Sequence, residues 1–452
     1  MGVEGAQPTG IARGRGSRDR TNAATAAAIT PNAAARAAAA MARRFHFRAL
    51  VPRVLPRWLA VLGPGLLAMA GDNDAGGLLS YAATGARFGA GAFVLLLLPL
   101  CACAFVVQDT AMRVGAATGR GLGALVRTRF SRSWAVLCGC DLAVQNWLTL
   151  VTEFAGMGVG LAHFGVPLRL GVPLSCALVL GLVLLYPYRT AERLGVGLAV
   201  ASLLFLPLAA GAGLHGGPSV WGPRPGPGLR LFLVAAVGNA LAPWMIFFQA
   251  QGSAARAEAD GRAQGRAAPD AGRPSPVVAA GRWDLGAGSS VQVAVAAAVV
   301  VLGAAGVGAA GGGARGLAGD LFAVGLFDAG LVAALTVSLS TAWAVTEVFG
   351  GTARPGTGAL GAPAFFGAYA AGLVAAAGAV LLPGLSPTLV AVVVQAASAV
   401  LLPPIIALLL VLANDAHLMG QGRNTPAWNV AGCTVLGLFT AACLWLLVGG
   451  GG

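Results

Sequence analysis

The sequence predicts an all-α, polytopic membrane protein of about eleven spans. It is expected to be built as two five-span units of opposite orientation, with the first and sixth spans broken. Three observations carry this. Of 452 residues, 57% are hydrophobic and 10% charged, against roughly 25% charged in a soluble domain. Apolar runs such as Phe93–Leu100 and Val293–Gly303 recur along the whole length, and they lack the polar face that a helix on a soluble protein turns to water. Two apolar stretches are interrupted, at Gly71-Asp72-Asn73-Asp74-Ala75-Gly76-Gly77 and at Gly238-Asn239-Ala240-Leu241-Ala242-Pro243-Trp244.

Residues 1–57 begin Ala-, Gly- and Arg-rich and lack the order of a signal peptide. They read as a disordered cytoplasmic tail, or as the product of a misassigned start codon, ahead of a transmembrane domain over 58–452. Candidate spans lie at about 59–83, 90–113, 135–163, 167–186, 192–213, 231–253, 286–309, 321–347, 362–383, 387–412 and 428–449. Each reaches the roughly 20 residues a bilayer requires. The connection after span two holds Arg113, Arg120, Arg127, Arg129 and Arg132; that after span four, Arg189 and Arg193; that after span six, Arg256, Arg262, Arg266, Arg273 and Arg282. Even-numbered connections and the N-terminus are therefore expected in the cytoplasm. The formal charge of +13, all of its basic residues arginine, reads as membrane orientation and not as a nucleic-acid surface. The connection at about 254–285, rich in Ala, Gly, Pro and Arg, is expected to be a disordered cytoplasmic spacer. The seven cysteines read as small packing residues, since neither C-x-C pair has zinc-site spacing.

The interruptions fall in spans one and six. If five-span units repeat over about 58–213 and 231–412, these are matching positions, and an odd number of spans inverts the second copy. Paired breaks in an inverted repeat point to a central binding site. The span at about 428–449 is then an addition.

At the first break, Asp74 is followed by Ala75-Gly76-Gly77, and adjacent glycines weaken helix geometry. Carboxylate, freed carbonyls and water form the ligand set of a hard divalent cation. A structural ion pair is the alternative, but no arginine is expected at that depth. Asp72 is a second ligand or a carboxylate lining the path. Pro243 ends helical pairing ahead of it and frees carbonyls near Asn239 and Ala240. Ala242 adds room without a side-chain ligand, and Trp244 puts an aromatic where a titratable group could stand. Gln395, in a helix of Ala, Val and Leu, either ligates an ion or its water, or bonds a neighbouring helix. Of Asp141, Glu153, Glu192, Asp328 and Glu347, Glu153 is deepest by position and is a candidate path carboxylate. The four histidines sit at ends, loops or the tail, which leaves none mid-membrane for a proton relay.

At these residues the chain resembles the Nramp family of divalent-metal transporters, which share the LeuT-type inverted-repeat fold. The likeness runs from Gly63-Pro64-Gly65 through Asp74-Ala75-Gly76-Gly77, on the family's Asp-Pro-Gly-Asn, and Gly85-Ala86-Arg87-Phe88-Gly89. It continues in Gln108 and Gly115-Ala116-Ala117-Thr118-Gly119-Arg120. Near the end it takes in Gln395, Leu402-Pro403 and Asn414-Asp415-Ala416-His417-Leu418-Met419-Gly420. The departures are specific. The family's ligating Asn corresponds to Gly77, its Met-Pro-His to Ala242-Pro243-Trp244, and its Asp-Leu-Ala-Glu to Glu153-Phe154-Ala155-Gly156. This pattern is similar to the Nramp-related magnesium transporters, which the resemblance implies carry Mg2+ and Mn2+.

The implied metal set is Asp74, Gly77, Asn239, Ala240, Ala242 and Gln395, with Asp72, Glu153, Pro243 and Trp244 along the path or at its gates. Losing a thioether forfeits discrimination against Mg2+, and an ion that sheds water reluctantly suits the roomier site. Without the family's His and second acid, uptake is expected to be driven by membrane potential and uncoupled from protons. Two charges crossing 100 mV gain about 4.6 kcal/mol. The expected protein is a non-enzymatic, monomeric carrier in the cell membrane, with no resident cofactor. Its partners are the ion and the lipid bilayer, not nucleic acid. The alternatives are a proton-coupled Mn2+/Fe2+ importer and an organic-solute carrier of the same fold.

Overall fold

Hydrocarbon offers no hydrogen-bond partner, so each crossing segment must close its own backbone bonds, and every regular element among the described residues is helical. The computed structural model describes residues 63–185, 195, 197–198, 200–263, 276–308, 316–348, 363–384 and 386–448. All of these fall in the unit Val54–Gly452. The expected tail, Glu192, and residues 264–275 lie outside the described residues.

In chain order the helices are α1 (Pro64–Ala70), α2 (Ala75–Phe88), α3 (Gly91–Thr118), α4 (Leu122–Arg129), α5 (Arg132–His163), α6 (Leu168–Leu185), α7 (Phe205–Gly216) and α8 (Pro218–Trp221). There follow α9 (Leu229–Gly238), α10 (Pro243–Ala263), α11 (Pro276–Ala304), α12 (Leu317–Val348), α13 (Pro363–Val380), α14 (Pro387–Asn414), α15 (Ala416–Met419) and α16 (Pro426–Val448). Among the described residues seven helical stretches are long and apolar enough to cross a membrane. The shorter apolar helices Leu168–Leu182, Ser202–Gly216 and Tyr369–Val380 coincide with expected spans four, five and nine. The first span is divided between α1 and α2, and the sixth between α9 and α10.

One expectation is corrected. The stretch 254–285 is not a loop throughout, because α10 runs on to Ala263 and α11 starts at Pro276. Alanine-rich sequence favours helix wherever packing permits. Glu258 and Arg262 pair one turn apart, and Arg256 reaches Asp284 at 3.7 Å. Proline at the first position of α11 starts a helix without losing a bond.

Two glycine contacts set how closely the helices around the breaks approach. A Cβ at Gly85 would overlap Val300 O, and one at Gly303 would overlap Ala82 O, so α2 and α11 meet backbone to backbone. A Cβ at Gly238 would overlap Gln395 O. That contact docks the end of α9 on α14 and brings Gln395 level with the second break. α5 lies against both α12 and α2. At one end of the bundle, α4 is held by Glu347 of α12, whose Oε2 accepts from Ala124 N at 3.1 Å, and by an ion pair from Arg129 to Asp415. The hydrogen bond from Arg129 holds the Asp415 carboxyl below the usual carboxylate range.

Gly303→Val is expected to cost at least about 1–3 kcal/mol through overpacking. Thermal unfolding in detergent reads this as a lower midpoint. Gly286→Ala, on the same helix with nothing within 4 Å, is expected to leave the midpoint in place or raise it slightly, since alanine favours helix over glycine.

Candidate metal site

The first break covers residues 71–74. Gly71 closes α1 with a bond from its N–H to Leu67 O, and Asp74 stands extended at φ −69°, ψ 169° as the N-cap of α2. Its carboxylate accepts from Gly77 N. The second break covers residues 239–242. Asn239 closes α9, and Pro243 opens α10 from its first position. Pro243 therefore does not kink a continuing helix; it ends one possibility and starts the next, where its missing N–H costs nothing.

The freed backbone groups are satisfied by side chains from other helices. Glu153 Oε2 on α5 accepts from Ala75 N at 2.8 Å, and its other oxygen accepts from Thr152 Oγ1 at 3.1 Å. Asn239 Nδ2 donates to Gly77 O at 3.4 Å, and Tyr81 Oη donates to Asn239 O at 3.5 Å. Gln292 on α11 donates both to Ala240 O at 3.1 Å and to Asp72 Oδ2. The main-chain carbonyl of Gln292 accepts from Asn73 Nδ2 at 3.0 Å. Asp284, also on α11, accepts from Gly63 N, Gly65 N and Leu66 N at 2.8, 2.8 and 3.1 Å, which caps α1. The two breaks are thus bound to each other and to one scaffold.

The oxygens packed against Gly77 are the distinctive feature. Beyond its own stretch of backbone, the three heavy atoms closest to where a Cβ of residue 77 would stand are all oxygens, too close to admit one: Asn239 Oδ1 at 2.8 Å, Asp74 Oδ1 at 3.0 Å and Asp72 O at 3.2 Å. Asn239 is 1% exposed, and its Oδ1 has no hydrogen-bond partner. A buried acceptor left empty costs about 1–3 kcal/mol, and an electropositive guest would relieve that cost. Asp74 is 3% exposed. Among the described residues no arginine pairs with it; Gln395 Nε2 donates to its Oδ1 at 3.2 Å.

Of the residues read from sequence, the fold brings Asp72, Asp74, Gly77, Asn239, Ala240 and Gln395 together. Glu153 joins them as the acceptor for α2. Ala242 is buried beside the second break, and Met245 Sδ lies 3.2 Å from its N–H. A thioether, absent at position 242, returns one turn later and faces the backbone amide. Trp244 is fully buried against Gly71 and edge-on to Phe248, its Nε1 without a partner. Asp141 and Asp328 each keep one buried oxygen unpartnered away from this cluster, and His163 pairs with Asp320 at 2.7 Å. Gln292 and Asp284 were not singled out from sequence. A lone amide beside the apolar run 293–303 is the signal that would have found Gln292. Among the described residues no three of His, Cys, Asp and Glu converge on one point, so the cluster is one of carboxylate, amide and carbonyl oxygen.

A family model described as natural resistance-associated macrophage protein-like matches residues 65–449. The chain belongs to the Nramp family and is a multi-pass membrane protein. It is 30% identical over 160 residues to the divalent metal cation transporter MntH of Levilactobacillus brevis, a match covering 34% of each chain. The matched segment thus spans about a third of that relative's length. A point mutant of the manganese transporter of Eremococcus coleocola superposes with a TM-score of 0.66 at 19% identity, over 87% of this chain and 88% of that one. MhsT in complex with L-phenylalanine superposes at 0.56 and 14% identity, over 87% and 98%. The fold is the LeuT-type arrangement with both broken helices in place.

Glu153→Ala is expected to lose about 1–3 kcal/mol of stability, because the buried Ala75 N is left without its acceptor, seen as a lower unfolding midpoint in detergent. Glu153→Gln, which keeps an acceptor for Ala75 N, is expected to lose less.

Proposed function

We propose that this chain is a secondary transporter that carries divalent cations, Mg2+ and Mn2+, across the cell membrane by alternating access, with the ion seated beside Asp74 and Asn239. The observation that carries the reading is the cluster of oxygens packed against Gly77, among them the buried and unpartnered Asn239 Oδ1. Oxygen donors suit hard dications. Mg2+ usually keeps several of its waters, so an ion reaching this cluster would bind it in part through its own hydration.

In this reading Asp74 supplies the charge, Asn239 Oδ1 and the Asp72 carbonyl complete one side, and hydration completes the other. Gln395 donates to Asp74 in the ion-free arrangement, and rotation of its amide would turn Oε1 toward an ion or its water. Ala240 and Ala242 shape the wall. Trp244 keeps the floor dry, and Met245 is spent on a backbone amide. Glu153 is tied to Ala75 N, so the residue best placed to relay a proton is engaged in holding α2. Transport is therefore read as uncoupled, driven by membrane potential, and closest to the magnesium-carrying branch of the family. The N-terminus is read as cytoplasmic from the arginine distribution. The two units are read over about 58–213 and 231–412, in a monomer.

In proteoliposomes, millimolar Mg2+ is expected to compete with Mn2+ uptake, and ion entry is expected to leave luminal pH unchanged. Luminal acidification in step with Mn2+ entry would establish the proton-coupled Mn2+/Fe2+ alternative. Asp74→Ala is expected to lower uptake by about tenfold or more, equivalent to 1.4 kcal/mol. Met245→Ala is expected to keep the Mg2+/Mn2+ competition ratio within about twofold, because a sulfur held by an amide discriminates little between the ions.

A further inference from the structure

We propose that Gln292 is a positioning residue that withdraws the Asp72 carboxylate from the ion, so that the site presents one negative charge where the sequence supplies two. This rests on the reading of Asp74 and Asn239 as ion ligands, and it assigns a task to the second acid of the first break.

Asp72 and Asp74 are two residues apart in non-helical backbone, and each is 3% exposed. Their carboxylates are steered apart by two glutamines on different helices. Gln395 of α14 donates to Asp74 Oδ1 at 3.2 Å. Gln292 of α11 donates to Asp72 Oδ2, and the same Nε2 donates to Ala240 O at 3.1 Å. An amide nitrogen has two hydrogens, and here each has an acceptor, one at each break. The main-chain carbonyl of residue 292, which any side chain there would leave in place, accepts from Asn73 Nδ2 at 3.0 Å. Gln292 Oε1 is buried without a partner. Flipping the amide would set that oxygen against a carboxylate, so the donors dictate its orientation.

The consequence for the ion lies in the backbone of Asp72. With its side chain drawn to α11, its main-chain carbonyl lies against Gly77 beside Asp74 Oδ1 and Asn239 Oδ1, 3.2 Å from where a Cβ would stand. Asp72 thus gives the ion a neutral oxygen and keeps its charge for the contact between the breaks. Charge count and rigidity tune divalent affinity over decades, and a carrier must release its ion as readily as it takes it. A second free carboxylate would deepen the well and slow departure.

Mn2+ uptake kinetics in proteoliposomes test this. Gln292→Met keeps the length of the side chain and removes both donors. With Asp72 released, KM for Mn2+ is expected to fall about three- to tenfold, and the maximal rate is expected to fall with it. In Gln292→Met combined with Asp72→Asn, the drop in KM is expected to vanish. A purely structural role for Gln292 would lower the rate in both backgrounds without a KM decrease that depends on Asp72, and that result overturns the proposal. If Gln292→Met does not accumulate in membranes, the comparison of single variants decides. Asp72→Asn is expected to raise KM less than Asp74→Asn, and an equal or larger rise overturns the proposal. Asp74→Ala with uptake intact would remove the site reading itself. Uptake lost in Asp74→Ala with no Asp72-dependent change in Gln292→Met would remove only this inference.

Discussion

Everything central in this protein follows from breaking two membrane helices where water cannot repair the backbone. Each break frees N–H and C=O groups whose burial without partners is costly. The chain meets that demand with side chains from other helices. Glu153 takes Ala75 N, Asp74 takes Gly77 N, Asn239 reaches Gly77 O, and Gln292 joins Ala240 O to Asp72. Asp284 does the same for the start of the seven-residue α1. What remains after this pairing is Asn239 Oδ1, buried with no partner, beside the Asp74 carboxylate and the Asp72 carbonyl. All three lie against Gly77, where there is no side chain.

The close helix contacts serve the same end. α2 and α11 touch through Gly85 and Gly303, and α9 and α14 touch through Gly238. These contacts bring Gln292 and Gln395 within reach of the two breaks. Larger residues would hold the helices apart and leave the amides short of their partners. Helix packing and ion chemistry are therefore not separable here, since the spacing between helices decides which oxygens are spent on backbone and which stay open.

Much of this was legible in the sequence, because the features concerned are local. Gly76-Gly77 after an acid, and Pro243 after Asn239, mark breaks through backbone preference alone. The spans follow from apolar length, and the Nramp resemblance extends along most of them. What was not legible depends on distance in the chain. Gln292 acts across 220 positions on Asp72, and its rotation about α11 decides whether it faces the breaks or lipid. Met245 is one turn past a position where a thioether is absent, and only the folded turn shows its sulfur on Ala242 N. The stretch 254–285 misleads for a different reason. Alanine, glycine and arginine describe a spacer by composition, yet alanine also extends a helix that is already nucleated inside the membrane.

The most direct measurement is the position of a bound ion, from anomalous scattering of crystals grown with Mn2+. The expected result is a single peak within direct or one-water reach of Asp74 Oδ1 and Asn239 Oδ1, beside Gly77. A peak ligated by Glu153 or Met245 Sδ, or one that leaves Asp74 and Asn239 uninvolved, would contradict the account.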